Sequence, residues 1–79
     1  MVKFEVYTKE HCPYCTKIKD VLRLTGNAFD ERKLGSDFSK QEFYEMFSDD
    51  PTFPQVIFNQ KSIGGCKDTI KFLKENNFI

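Results

Sequence analysis

Residues 11–16 read His11-Cys12-Pro13-Tyr14-Cys15-Thr16, HCPYCT, and they follow directly on VKFEVYTKE, residues 2–10. In that preceding stretch Val2, Phe4 and Val6 alternate with Lys3, Glu5 and Tyr7, the period of a strand with one apolar face. Beyond the cysteines, Cys15, Ile18 and Leu22 recur at helical spacing with Val21 beside them, while Lys17, Lys19, Asp20 and Arg23 fall mostly outside that stripe. The pair therefore stands where a strand hands over to a helix. Pro13 suits the first helical position, because the amide it lacks would have no intrahelical partner there. Thr25-Gly26-Asn27 ends the helix, with Gly26 fitted to a left-handed cap.

Working outward, residues 28–34 (AFDERKL) carry Phe29 and Leu34 among charges and read as a weak strand near an edge of the sheet. Ser39 stands three residues before Glu42, the spacing of a capping box, and Phe43, Met46 and Phe47 follow as an apolar helical face. Ser48-Asp49-Asp50-Pro51 is punctuation, and after Pro54 comes QVIF, a run of β-formers. Asn59-Gln60 is a tight turn into KSI, which makes a hairpin, and Gly64-Gly65 closes it. A last helix is expected from about Lys67, with Ile70 and Leu73 on one side. The order β-α-β-α-β-β-α is that of an α/β fold whose first two strands are parallel and joined by a right-handed crossover. The closing hairpin adds antiparallel strands, so the sheet is mixed.

The whole chain is 79 residues, enough for one small domain over 1–79 and too short for two. Nine Phe and no Trp mean that phenyl rings supply much of the buried area. Twelve basic and twelve acidic side chains cancel, so nothing in the overall charge calls for nucleic acid or an anionic membrane as partner. No apolar run approaches the roughly 20 residues that span a bilayer, and the first residues lack the apolar stretch of a signal peptide. The expected place is the cytoplasm. Three cysteines cannot all pair within one chain, so they read as chemical rather than structural.

The position of the pair suggests its chemistry. A helix starting at Pro13 leaves Cys12 at its N-terminal boundary, where free amides and the positive end of the dipole favour an anion, here a thiolate. Cys15 lies about one turn further on, close enough to reach the Cys12 sulfur but on the apolar stripe. Cys12 is then the exposed attacking thiolate and Cys15 the resolving thiol that displaces a mixed disulfide. Lys9, His11 and Lys17 could each add positive charge near Cys12, or simply be solvated surface residues. The competing use of a Cys-X-X-Cys pair is half of a structural zinc site. That needs four ligands, and Cys66 and His11 supply the count without the usual second close pair, so no metal is expected.

CPYC at 12–15, TFP at 52–54 and GGCKD at 64–68 occur in the order and approximate spacing of the dithiol glutaredoxins, and the chain resembles that family over nearly its whole length. The resemblance implies a thioredoxin-like fold, a four-stranded mixed sheet flanked by three helices. It implies reduction of protein disulfides and glutathione mixed disulfides at the expense of glutathione, with Cys12 as nucleophile and Cys15 as resolving cysteine. Tyr14 matches the aromatic residue lining the glutathione site, and Lys9 a basic residue that meets the glycine carboxylate. Pro54 matches a proline preceded by a cis peptide bond, which leaves the backbone of Phe53 free to pair with the cysteinyl part of glutathione. Gly64 and Gly65 allow close backbone approach, Cys66 and Asp68 match residues whose amides receive the γ-glutamyl carboxylate, and the Asp68 carboxylate could meet the γ-glutamyl ammonium. A helix N-terminus after a glycine turn is a suitable anion site. The implied partners are glutathione and disulfide-bearing or glutathionylated proteins, ribonucleotide reductase among them, met by a monomer without nucleic acid or membrane.

The chain also departs from the family pattern. Phe53 stands where a small β-branched residue is usual, Pro51 where a basic residue is frequent, and Lys67 replaces a small hydroxyl residue and adds charge beside the same ligand. Gln41 corresponds loosely to a helix-two glutamine of the glutathione site, and reads better as a solvated helix residue. Cys66 has no partner, and its backbone role needs no sulfur. Other functions stay open on the sequence: a thioredoxin-like reductase served by a protein partner, an iron-sulfur module in which two protomers share a cluster through Cys12 and glutathione, or a redox-inert binding domain. Pro13 argues against the cluster, and the paired cysteines argue against inertness.

Overall fold

The computed structural model describes residues 3–49 and 51–78. Its elements are β1 (Phe4–Thr8), α1 (Pro13–Leu24), β2 (Phe29–Lys33), α2 (Lys40–Met46), β3 (Gln55–Phe58), β4 (Lys61–Gly64) and α3 (Cys66–Glu75). They form a four-stranded sheet in the order β2-β1-β3-β4. β1 pairs in parallel with β2, Phe4 opposite Phe29, and antiparallel with β3, Val6 opposite Val56. β4 pairs antiparallel with β3. The mixed sheet and its edge strand β2 agree with the sequence expectation, and Val2 lies outside the described residues.

Alternation along β1 sends its two sides to different cores. Phe4 and Val6 join Ile18, Leu22, Val56, Cys66 and Leu73 in the layer between the sheet and helices α1 and α3. Tyr7, on the side the sequence marks as polar, instead packs with Phe38, Phe43, Phe47, Phe53 and Ile57 in a second, mainly aromatic cluster under α2. Phe43 stacks on Phe53 with ring centroids 4.1 Å apart and planes 9° from parallel. Met46, expected on the same helical face, is 48% exposed. With α2 only seven residues long, Phe43 and Phe47 already cover the aromatic cluster one turn apart, and Met46 is rotated away from it.

Local chemistry sets the element ends. Ser39 and Glu42 form a reciprocal capping box, the Ser39 hydroxyl accepting from the Glu42 amide at 3.1 Å and the Glu42 carboxylate from the Ser39 amide at 2.8 Å. Gly26 has φ +75°, the left-handed cap read from the sequence. Asn59 and Gln60 take φ values of 51° and 69°, as a tight two-residue hairpin turn requires. Helix α3 starts at Cys66, one residue earlier than the sequence suggests, with Gly65 as its N-cap. No described helix is long and apolar enough to cross a membrane.

The Thr8 side chain, 1% exposed, donates to Glu31 Oε2 at 2.7 Å, and Lys19 Nζ lies 3.0 Å from the same oxygen. Burial pushes the Glu31 carboxyl up, but the Thr8 and Lys19 hydrogen bonds and the charges of Lys19 and Lys33 outweigh it and hold it below its ordinary value of 4.5.

Two predictions follow from this packing. Phe43→Ala should destabilise the fold by about 3 kcal/mol or more, against about 1 kcal/mol for Ser39→Ala, read as lower urea midpoints at unchanged slope. A carboxyl whose folded value is depressed contributes stability above its unfolded value and loses it as pH falls through the folded one. Glu31→Gln should therefore flatten the acid limb of a midpoint-against-pH curve below about pH 5, while leaving its shape above that unchanged.

Candidate active site

Helix α1 begins immediately after the exit from β1, and the turn is made at His11, whose φ of 56° lies in the left-handed region. Histidine is among the non-glycine residues found there more often than most. Cys12 is the N-cap, extended at φ −119° and ψ 96°, and its Sγ accepts from the Cys15 amide at 3.2 Å. Its carbonyl takes the first helical hydrogen bond from Thr16 N at 3.2 Å. Cys12 and Cys15 are joined by a disulfide with Cα atoms 5.2 Å apart. Burial divides them, Cys12 being partly exposed while Cys15 is 2% exposed and packed on the helix stripe.

Beside this junction lies a groove of about 460 Å³. Tyr14 and Lys17 of α1 form one wall, Thr52, Phe53 and Pro54 the floor, and Gly65, Cys66, Lys67, Asp68 and Ile70 the opposite wall. The Phe53–Pro54 peptide bond is cis. The wall from α3 is a helix start without a side-chain cap, since Gly65 has no side chain to offer. Its first-turn amides therefore face solvent or a ligand, and the dipole adds positive charge there. Gly64, at φ +126°, is required by its backbone angle, and a Cβ there would sit 2.6 Å from Asp68 Oδ2.

Of the residues singled out from the sequence, Tyr14, Phe53, Pro54, Gly65, Cys66 and Asp68 thus share one groove. Lys9 does not line it. Lys9 belongs to a second cavity of about 740 Å³ on the other side of the disulfide, with His11, Cys12, Cys15, Lys19, Glu31 and Lys33 among its lining. There its ammonium sits over the Phe53 ring, 5.4 Å from the centroid, and so touches the border of the first groove. Gln41 is exposed on α2, near Glu45 at 3.4 Å, and lines neither cavity.

Sequence reasoning assigned nothing to Thr52 beyond its place in the TFP motif, and nothing to Ile70 at the groove beyond the apolar side of α3. It missed the second cavity altogether. Lys19 and Glu31 come from different elements and meet only because α1 packs over β2. Cys66 is 7% exposed, and burial pushes its thiol up from the ordinary range, with Lys17 pulling back in part. It behaves as a small buried residue whose sulfur is poorly suited to attack. Among the described residues, no three His, Cys, Asp or Glu side chains gather in a metal-binding group.

A buried and an exposed cysteine one turn apart at a helix N-terminus can cycle between dithiol and disulfide, with the exposed sulfur meeting the substrate. Comparison with known proteins agrees. The family model for glutaredoxin matches residues 4–63. Glutaredoxin 3 of Escherichia coli strain K12 is 38% identical over 68 residues, covering 86% of this chain and 82% of its own length. A crystal structure of wheat glutaredoxin, 28% identical, superposes with a TM-score of 0.80 over 98% of this chain and 74% of that one. The fold is shared too by a buckwheat glutaredoxin solved as a glutathione complex, 20% identical with a TM-score of 0.80 over 96% of this chain and 72% of that one. On the family match and on a redox pair set between β1 and α1, this chain belongs to the glutaredoxin family of thiol-disulfide oxidoreductases.

Proposed function

We propose that the chain uses glutathione to reduce protein disulfides and glutathione mixed disulfides, with Cys12 as nucleophile and Cys15 as resolving thiol. The supporting observation is the groove between Tyr14 and Lys17 of α1 and the uncapped N-terminus of α3, with Cys12, two residues before Tyr14, lining the neighbouring cavity. A tripeptide with a thiol in the middle and carboxylates at its ends suits that shape. Its sulfur would lie at Cys12, with the cysteinyl part against the backbone of Phe53 and Tyr14 covering it. The γ-glutamyl carboxylate would accept from the amides of Cys66 and Asp68, and Gly65 would admit the chain closely. The Asp68 carboxylate would take the γ-glutamyl ammonium and Lys9 the glycine carboxylate.

The Cys12 thiolate attacks the glutathionyl sulfur of a mixed disulfide, and the substrate cysteine leaves as a thiolate that takes a proton. A second glutathione thiolate then attacks the glutathionyl sulfur on Cys12, which yields oxidised glutathione and restores the Cys12 thiolate. With a protein disulfide, Cys12 forms the mixed disulfide with the protein. Cys15 then loses its proton and displaces the protein thiol, and two glutathione molecules reduce the resulting Cys12–Cys15 bond. The N-terminus of α1 stabilises the Cys12 thiolate both as attacker and as leaving group. The family's reduction potentials, about −200 to −230 mV, suit a reducing glutathione pool, and the proposed setting is the cytoplasm.

The deciding measurement is glutathione-dependent reduction of a small glutathione mixed disulfide by the parent, Cys12→Ser and Cys15→Ser, with intact mass after exposure to oxidised glutathione. Cys12→Ser should fall to the uncatalysed background. Cys15→Ser should keep turnover of the mixed disulfide, lose reduction of protein disulfides, and hold one glutathione adduct. A parent that neither turns over nor gains an adduct or internal disulfide defeats the glutathione reading. In the reduced parent, iodoacetamide at neutral pH should modify Cys12 first. Cys66 should react at a comparable rate only after unfolding, since burial both shields it and disfavours its thiolate.

A further inference from the structure

We propose that Phe53 is a positioning residue that sets where the Lys9 ammonium stands beside Cys12, and so tunes the site for anionic thiol substrates. This rests on the glutathione reading only for the identity of the anion. One face of the Phe53 ring is stacked on Phe43, 4.1 Å between centroids and 9° between planes, and the same ring lies nearly parallel to Phe38 at 6.1 Å and 19°. Its orientation is therefore locked by the aromatic cluster beneath α2. Lys9 Nζ lies over that ring, 5.4 Å from the centroid, within the range where the negative ring face attracts a cation. Among the described residues Lys9 forms no ion pair.

A lysine carries its charge on a flexible four-carbon stem, and without a partner the ammonium spreads over many rotamers. The ring narrows that spread while leaving ammonium hydrogens free for a carboxylate. Phe53 lines the groove on one side of Cys12 and Lys9 lines the cavity that contains Cys12 on the other, so the pair sits where the two meet. A β-branched residue at this place has no ring face to offer. The aromatic cluster is thereby connected to the charge at the site, and the large residue at 53 is a specificity feature of this chain as well as a core one.

The test compares Phe53→Leu, Phe53→Tyr and a trifluorophenylalanine replacement, each with Lys9 intact and as Lys9→Gln. Fluorination weakens the ring's negative face with little change in its size, and an electron-poor ring stacks on Phe43 at least as well, so it decides the matter even if Phe53→Leu fails to fold. The first readout needs no glutathione: the ratio of Cys12 alkylation rates by anionic iodoacetate and neutral iodoacetamide. That ratio should fall about two- to five-fold in the fluorinated and leucine variants, be kept by tyrosine, and be insensitive to residue 53 once Lys9 is glutamine. With a glutathione mixed disulfide as substrate, KM should rise by a similar factor and kcat fall less. Independent effects at the two positions, multiplying in the double variants, or an unchanged ratio on fluorination, overturn the proposal. A parent inactive with glutathione overturns the glutathione reading and leaves the alkylation ratio to decide this one.

Discussion

Everything at the active end of this molecule depends on β1 being held on both edges. It is an inner strand, hydrogen-bonded to β2 on one side and β3 on the other, and its exit point cannot shift without breaking both ladders. A three-residue loop after Thr8, turned by the left-handed His11, then delivers Cys12 to the start of α1. The helix cannot slide either, since Ile18 and Leu22 are fully buried against the sheet. The Cys12 sulfur is thus placed by backbone held on both sides, and its partner Cys15 one turn later is buried by the same packing.

The two cores divide the work. The layer between the sheet and α1 and α3, where Phe4, Phe58, Phe72 and Phe78 pack with Val6, Ile18, Leu22, Val56 and Leu73, fixes the two helix N-termini that face each other across the groove. The aromatic layer under α2 fixes the loop that carries Phe53 and Pro54 between them. In so small a domain, large rings are an efficient way to bury area, and their parallel stacks also restrict orientation. That restriction matters here because one of the rings borders the site.

Electrostatic character follows from arrangement rather than composition. The chain has no net charge, yet the groove joins two lysines, a helix N-terminus and one carboxylate, and the neighbouring cavity pairs Lys19 with Glu31 and leaves Lys9 over a ring. Helix dipoles supply positive potential that no residue count records. Cys66 illustrates the reverse: a thiol near Lys17 is disfavoured as an anion because burial outweighs the charge.

Features governed by interactions within a turn or two could be read from the sequence alone. Pro13 at the helix start, Gly26 at its end, the Ser39–Glu42 capping box, the Asn59-Gln60 turn and the exposed-then-buried order of Cys12 and Cys15 all depend on near neighbours, and the element order followed from their sum. Features that join residues distant in the chain could not be read. Tyr7 looked polar because alternation marks a strand's two faces but not what covers the second one. Met46 looked buried because periodicity does not record how few turns α2 has. The meeting of Lys9 with Phe53, and of Glu31 with Thr8 and Lys19, exists only once the sheet has brought its strands and helices together. Local backbone chemistry had thus written where the redox pair stands, while packing across the sheet decided which charges and rings surround it.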